Sequence, residues 1–222
     1  MQALDLALFL LTISVYAIPV LFAITLHEVA HGWTARYFGD RTAELLGRLS
    51  LNPLRHIDPI GTVLIPGSLL ALGLPLFGWA KPVPVETSVL RNPRRAMILV
   101  ALAGPAANVL MALFWCVVLA AVLQIRRGQT LDNWVVLMAQ AGITVNAVLA
   151  LFNMLPIPPL DGGRVLVGLL PARIGAKFEK LAPAGVFIVV GLSVLGLLDW
   201  LFHPADRAIS RVITVLGIGM ST

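Results

Sequence analysis

The feature that most constrains this chain is a series of five long apolar segments. They extend approximately over residues 6–33, 60–77, 96–123, 134–155 and 184–202. Each is close to or above the roughly 20 residues that a helix needs to cross a bilayer. Only 12% of the 222 residues are charged, about half the share that is usual in a soluble domain. The sequence therefore predicts an all-α membrane protein, a polytopic helical bundle that lies in the lipid bilayer.

Charge and cysteine content exclude several other classes of protein. The formal net charge is +5, but the basic residues stand in loops between apolar segments, as orientation in a membrane requires, so no nucleic-acid partner is expected. The only cysteine, Cys116, lies within an apolar segment, which excludes an intramolecular disulfide and a cysteine metal cluster. The chain lacks the basic start of a signal peptide, so the first apolar segment is expected to remain. We expect a single transmembrane domain over residues 1–222, with a core at about 6–165 and a C-terminal helix and tail at about 166–222.

The second apolar segment, residues 60–77, is rich in glycine and proline, which argues against one regular helix. If all five segments cross the membrane, eight basic residues lie on each side. If the second segment dips in and returns, twelve lie on one side and four on the other, as the positive-inside rule describes. We therefore predict four full crossings, with a re-entrant or small β element between the first and the second. The alternative is five crossings, since glycine and proline are also common in membrane helices.

Ionisable residues are concentrated near the end of the first segment, in His27-Glu28-Val29-Ala30-His31. Residues four apart share a helix face, so His27 and His31 can bind one zinc ion while Glu28 acts on its water. Ionisable side chains inside a membrane are costly, and they are retained where they pair, bind metal or line a wet cavity. The spacing predicts a zinc site with Glu28 as general base.

A catalytic zinc ion usually has three protein ligands, so a third must come from elsewhere. Asp161 is the best candidate, because it follows three prolines that end a helix and precedes two glycines that allow close backbone approach. The alternative is that Asp161 merely caps a helix. The other candidates stand in polar loops or near the far end of the chain: His56, His203, Glu44, Glu86 and Glu179. With a re-entrant second segment, the histidines, Asp161 and the start of the third segment all lie at one depth in one leaflet.

Three motifs occur in the order HEVAH, GPAAN and NMLPIPPLDGG. Together they resemble the site-2 protease family of intramembrane zinc metalloproteases. FGWAKPVPV, followed by NPRR and LAGP, is similar to the compact prokaryotic branch, and the resemblance covers about residues 24–164. It implies a three-helix catalytic core in which His27, His31 and Asp161 bind zinc and Glu28 is catalytic. It also implies that Asn153 engages the substrate backbone or the oxyanion, and it makes Asn108 a second substrate-binding candidate.

The predicted function is zinc-dependent hydrolysis of peptide bonds in transmembrane protein substrates. The substrate must unwind locally, and the stretch Gly78–Val85 (GWAKPVPV) could pair with it as a strand or form a simple interfacial loop. The expected location is a prokaryotic cell membrane, with the site toward the cytosolic side; the oligomeric state is not indicated. The main alternative is a membrane zinc-binding protein or transporter without proteolytic activity. Two others are a membrane zinc protease of another family, which would commonly use a glutamate as third ligand, and an inactive scaffold.

Overall fold

The computed structural model describes residues 6–65, 67–68, 81–125 and 133–215. These residues are predominantly helical, and no strand occurs among them, which confirms the all-α class. The α-helices are α1 (Leu6–Tyr37), α2 (Thr42–Leu45), α3 (Pro93–Ile125), α4 (Asn133–Asn153), α5 (Asp161–Leu169), α6 (Ala172–Glu179), α7 (Ala182–Val194) and α8 (Leu197–Val215). A π-helix spans Pro59–Leu64, and short 3₁₀-helices span Pro53–Arg55 and Thr87–Val89.

Three of the described helices are long and apolar enough to cross a membrane, over Leu10–Tyr37, Pro93–Gln124 and Trp134–Asn153. They belong to α1, α3 and α4, which all pack against one another, and α5 packs on α3. Much of the apolar surface of α3 faces outward, including Leu110 and Val117, which are 67% and 66% exposed. Apolar faces of this extent are favourable in lipid and not in water. The chain is therefore an integral membrane protein.

The chain leaves α1 and enters α3 at the same end of the bundle. Ala35 of α1 and Ala96 of α3 are fully buried in one cluster, and the backbone N–H of Arg91 donates to the carbonyl of Phe38 at 2.8 Å. A single complete crossing between these helices would put the start of α3 at the opposite end. The packing thus agrees with a second segment that returns to the side it left, and it disagrees with five crossings.

The re-entrant or small β element itself is described only at its edges. The π-helix Pro59–Leu64 begins the second apolar segment, and residues 69–80 lie outside the described residues. Of the predicted strand Gly78–Val85, the described part begins at Lys81 and has no regular secondary structure.

The fifth apolar segment is not one crossing helix, as predicted, but parts of two helices. α7 ends at Val194, and Gly196 adopts a left-handed conformation with φ of 69°, which is a common way to end a helix. α7 has 13 residues and is about 20 Å long, too short for the roughly 30 Å of a bilayer core. α8 then runs back along α4, because Leu198 packs near Leu155 and Ile209 packs on the Trp115 cluster. The prediction was wrong because the hydropathy of the sequence does not separate α7 from the apolar first residues of α8, which is amphipathic.

Candidate metal centre

His27 and His31 lie one turn apart on α1 and point into the bundle. Both residues are buried, with 8% and 6% of their surface exposed. Their Nε2 atoms lie 3.0 Å apart, because residues four apart share one helix face. The structure thus pairs the two histidines as the HEVAH spacing predicts.

A proline-rich linker carries the chain from α4 to α5. α4 ends at Asn153 and α5 begins at Asp161; the prolines between them cannot continue a regular helix. The two glycines after Asp161 let the linker fold tightly over the start of α5. A Cβ on Gly162 would lie 2.2 Å from the carbonyl oxygen of Met154, and one on Gly163 would lie 2.4 Å from the nitrogen of Pro158. Larger residues at these positions would push the linker away.

Asp161, as the first residue of α5, directs its carboxylate at the two histidines. Its Oδ2 lies 3.2 Å from Nε2 of His27 and 3.3 Å from Nε2 of His31. The N-cap of α5 is Leu160, so the alternative in which Asp161 serves as the cap is not realised. The helix N-terminus also favours a negative charge at this position. His27, His31 and Asp161 therefore form one buried group of possible metal ligands.

The proton positions on both imidazoles follow from their partners. Nδ1 of His31 lies 2.7 Å from the carbonyl oxygen of Val100, and Nδ1 of His27 lies 2.6 Å from Oδ1 of Asn108. Both oxygens can only accept, so each Nδ1 carries the proton and each Nε2 of a neutral ring carries a lone pair. A hydrogen bond of this kind behind a histidine ligand fixes its tautomer and orientation.

One face of α3 is shaped to hold these imidazoles. Val100, Gly104 and Asn108 recur at intervals of four residues, so they lie on one side of the helix. A Cβ on Gly104 would lie 2.4 Å from Nε2 of His31 and 2.6 Å from Cε1 of His27. The glycine therefore allows α3 to approach both rings, with a hydrogen-bond acceptor one turn before it and one turn after it.

The donor set fits a zinc ion. The three donor atoms are 3.0, 3.2 and 3.3 Å apart, and ligands about 2.0–2.1 Å from a tetrahedral zinc ion are about 3.3–3.4 Å apart. Oδ2 of Asp161 is buried and has no hydrogen-bond partner within the described part of the chain. Two lone pairs and a carboxylate oxygen that converge on one point repel one another unless a cation lies between them. Two nitrogens and one oxygen are also a usual ligand set for catalytic zinc.

Glu28 follows His27 in the chain but stands outside this donor set. Its Oε2 accepts a hydrogen bond from the backbone N–H of Val83 at 2.7 Å. Pro82 and Pro84 on either side have no N–H, so Val83 is the one donor at the centre of the Pro-Val-Pro sequence. The carboxylate of Glu28 is thus held beside the metal ligands by this backbone donor, a contact that the sequence does not reveal.

The segment Lys81–Glu86, which carries Val83, is anchored at both ends. The Arg48 guanidinium donates to the carbonyl of Lys81 at 2.7 Å, and the Asp40 carboxylate accepts from the N–H of Glu86 at 2.7 Å. Burial alone would raise the pKa of Asp40, but hydrogen bonds from Thr42 and from the Glu86 backbone hold that pKa below its ordinary value. The loop after α1 therefore fixes the segment that faces Glu28.

The two asparagines that the family resemblance singles out have different surroundings. Asn108 is fully buried and lies behind His27, which suits support of the ring better than contact with a peptide. Asn153 is partly buried, and its Nδ2 donates to the carbonyl of Leu149 on its own helix at 3.0 Å.

The remaining ligand candidates that the structure describes either make other contacts or are exposed. Nε2 of His56 lies 2.8 Å from the carbonyl of Ser50, Glu44 forms ion pairs with Arg36 and Arg41, and Glu86 bonds Ser88. His203 and Glu179 are exposed. Within the described part of the chain, the group that comes together remains His27, His31 and Asp161.

The comparisons with known proteins agree with this geometry. The family model of peptidase family M50 matches residues 15–124 and 117–196. The protein named "Putative zinc metalloprotease YwhC" of Bacillus subtilis is 39% identical over 193 residues, which are 86% of this chain and 85% of that protein. Rip2 of Mycobacterium tuberculosis, described in the same words, is 34% identical over 82% of this chain and 70% of its own length. Rip2 of Mycolicibacterium smegmatis is 32% identical over 82% and 68%. No solved structure matches the chain.

Proposed function

Because the chain belongs to peptidase family M50, the site-2 proteases, we propose that His27, His31 and Asp161 hold its catalytic zinc ion and that Glu28 is the general base. The protein is an intramembrane zinc metalloprotease. The observation that carries the ligand assignment is the convergence of three buried donor atoms on one point. A carboxylate beside that point can act as the general base of a hydrolase, whereas a protein that only binds metal does not need one.

The catalytic role of each group in this site follows from its position. Zinc, when bound, supplies a Lewis acid that polarises the scissile carbonyl and acidifies a water molecule. Glu28 accepts a proton from that water, which adds its oxygen to the carbonyl carbon. The Glu28 carboxyl then gives the proton to the leaving amine as the C–N bond breaks. The Val83 N–H orients Oε2 and would leave the other carboxylate oxygen of Glu28 to act as the base.

The two asparagines have separate roles in this proposal. Asn108 orients the imidazole of His27 through its Oδ1. The Nδ2 of Asn153 donates to the carbonyl of Leu149. We assign its Oδ1 as an acceptor for the backbone N–H groups of an unwound substrate. The substrate class is a transmembrane segment, because both histidine ligands stand on α1, which is long and apolar enough to cross the bilayer. Substrate backbone must be extended there, since a helix conceals its peptide bonds.

We place the active centre toward the cytosolic side of a prokaryotic cell membrane. Two features support this orientation. The loops that join α1 to α3 share one end of the bundle with the metal ligands. Together with the helix ends beside them and residues 161–180, they carry twelve of the sixteen basic residues, as the positive-inside rule describes for the cytosolic side. Arg207 and Arg211 flank Ile209, which packs on the Trp115 cluster at the other end. We place the catalytic core within residues 6–165 approximately.

Glu28→Gln tests the enzyme assignment against a purely metal-binding function. The amide cannot accept a proton, but it preserves size and can still accept from Val83. The variant should retain zinc and the wild-type melting temperature, while cleavage of a single-span membrane protein in liposomes falls by at least about 100-fold. Glu44→Gln, in α2, is the control and should cleave normally. Normal cleavage by Glu28→Gln would remove the general-base assignment, and the absence of zinc from the wild type would remove the ligands.

A further inference from the structure

Asn146 is a fully buried polar residue near the middle of α4, and none of the roles assigned above involves it. A buried amide in a membrane helix is costly unless its polar atoms are hydrogen-bonded. Its Nδ2 donates to the carbonyl of Gly142 at 2.8 Å, and its Oδ1 accepts from Nδ2 of Asn108 at 3.0 Å. The side chain therefore connects α4 to the residue that supports His27.

Two backbone carbonyls determine the orientation of both amides. The carbonyl of Gly142 can only accept, so Asn146 must turn its NH₂ toward it and its oxygen toward Asn108. Nδ2 of Asn108 faces that oxygen and also the carbonyl of Ala23, at 3.2 Å. The oxygen of Asn108 is thereby left for Nδ1 of His27. The chain of hydrogen bonds runs from α4 through α3 to α1 and ends on a histidine whose Nε2 faces the donor cluster.

We propose that Asn146 is a positioning residue for the metal: acting through Asn108, it keeps the proton of His27 on Nδ1 and the lone pair of Nε2 available to zinc. The inference rests on the proposed zinc site. Without the Asn146 oxygen, Asn108 retains one acceptor for its NH₂, the carbonyl of Ala23. The Asn108 amide can then reverse and present N–H to Nδ1 of His27. A reversed amide favours the tautomer with the proton on Nε2, which cannot bind zinc.

The two histidines differ in this respect. Nδ1 of His31 donates to the backbone carbonyl of Val100, which no side-chain substitution removes. Nδ1 of His27 instead donates to the side chain of Asn108, which is itself oriented by the side chain of Asn146. Loss of Asn146 should therefore weaken zinc binding without abolishing it, because His31 and Asp161 keep their geometry.

The test is the zinc affinity of the purified full-length chain, measured by competition with a chromogenic chelator. Asn146→Leu removes both hydrogen bonds and keeps the branched shape and the number of side-chain heavy atoms. Asn146→Ser retains a hydroxyl that can bond the Gly142 carbonyl one turn back, but its shorter side chain loses Asn108. Asn108→Leu is the benchmark and should lose about 10–100-fold in affinity, the usual cost of an outer partner of a metal-bound histidine. Both Asn146 variants should lose about tenfold, the lower end of that range.

Ile143→Ala is the matched control for stability. Ile143 is buried on the same helix in the Trp115 cluster, and its truncation should lower the melting temperature while leaving zinc affinity per folded chain unchanged. Wild-type affinity in folded Asn146→Ser or Asn146→Leu would overturn the proposal. Failure of both variants to fold would also count against it, because Asn146 would then serve helix assembly. A wild-type chain that binds no zinc would instead contradict the proposed function.

Discussion

Gly104→Ala offers a sharp test of the metal centre, because one methyl group is added where α3 meets the two imidazoles. The new Cβ would lie 2.4 Å from Nε2 of His31 and 2.6 Å from Cε1 of His27. Ordinary van der Waals contact begins at 3.4 Å, so the rings or the helix must retreat by about 1 Å. A displacement of about 1 Å in a catalytic group can cost roughly 100-fold in rate.

The effect on stability should be much smaller than the effect on activity. Alanine is favoured over glycine within a helix by about 1 kcal/mol, whereas overpacking costs about 1–3 kcal/mol. The net loss in the free energy of unfolding is then about 2 kcal/mol or less. Gly104→Ala should therefore yield a folded protein that has lost most of its zinc and at least about 99% of its cleavage rate.

Gly191→Ala is the matched control, because nothing lies within 4 Å of a Cβ built at this position of α7. It should retain zinc content and cleavage, with a melting temperature equal to or above that of the wild type. The assays are zinc content per chain, thermal melting in detergent, and cleavage of a single-span membrane protein in liposomes. Wild-type zinc and cleavage in Gly104→Ala would refute the close packing of α3 on the histidines.

Four further predictions concern other parts of the molecule. They test Asp161 as a metal ligand, the membrane topology, the substrate contact of Asn153, and the hydrogen bond by which Asp40 anchors the segment Lys81–Glu86. Asp161→Ala should lower zinc content from about one ion per chain and abolish cleavage; full zinc content would disprove its role as third ligand. Cysteine labelling should find Arg48 and Arg94 on the same, cytosolic side, and opposite sides would contradict the re-entrant segment. Asn153→Leu should retain zinc and melting temperature but cleave about tenfold more slowly, because a backbone N–H of the substrate loses its acceptor; a lower melting temperature with normal activity per folded chain would remove it from the site. The pKa of Asp40 is lowered in the folded protein, so its stabilising effect is complete above its unfolded pKa of about 3.9 and disappears as the pH falls through the lower folded pKa. Asp40→Asn should therefore melt below the wild type at pH 7, and this difference should shrink as the pH falls below about 3.9; a difference that does not change with pH would contradict this.

Much of the candidate site could be predicted from short stretches of sequence. The pairing of His27 with His31 needs only the period of an α-helix. The end of α4 before Asp161 needs only the chemistry of proline. The return of the chain between α1 and α3 agrees with the distribution of basic residues alone. The first two features depend on interactions between residues that are close together in the chain. The third depends only on which side of the membrane the charged residues occupy.

The errors and omissions have equally specific causes. The apolar run over 184–202 predicted one helix, because hydropathy does not register that Gly196 turns the backbone out of α7. Asn146 carried a usable signal, since a polar residue within an apolar segment is retained for a reason. Its partner, however, lies 38 residues away, and hydropathy does not specify which helix faces it.

The amino-acid sequence by itself determined the membrane-embedded helical class, the HEVAH pair, the candidate third ligand and the reaction type, because these depend on residue chemistry and local spacing. Only the tertiary structure decided which groups orient the ligands and Glu28: the carbonyl of Val100, the amide of Asn108, the N–H of Val83 and the open face at Gly104. Every residue has a backbone carbonyl and every residue except proline has an N–H, so the sequence does not say which of them will face a ligand. Their direction is set when α1, α3 and α4 pack, since hydrogen bonds and van der Waals contacts act over only a few ångströms.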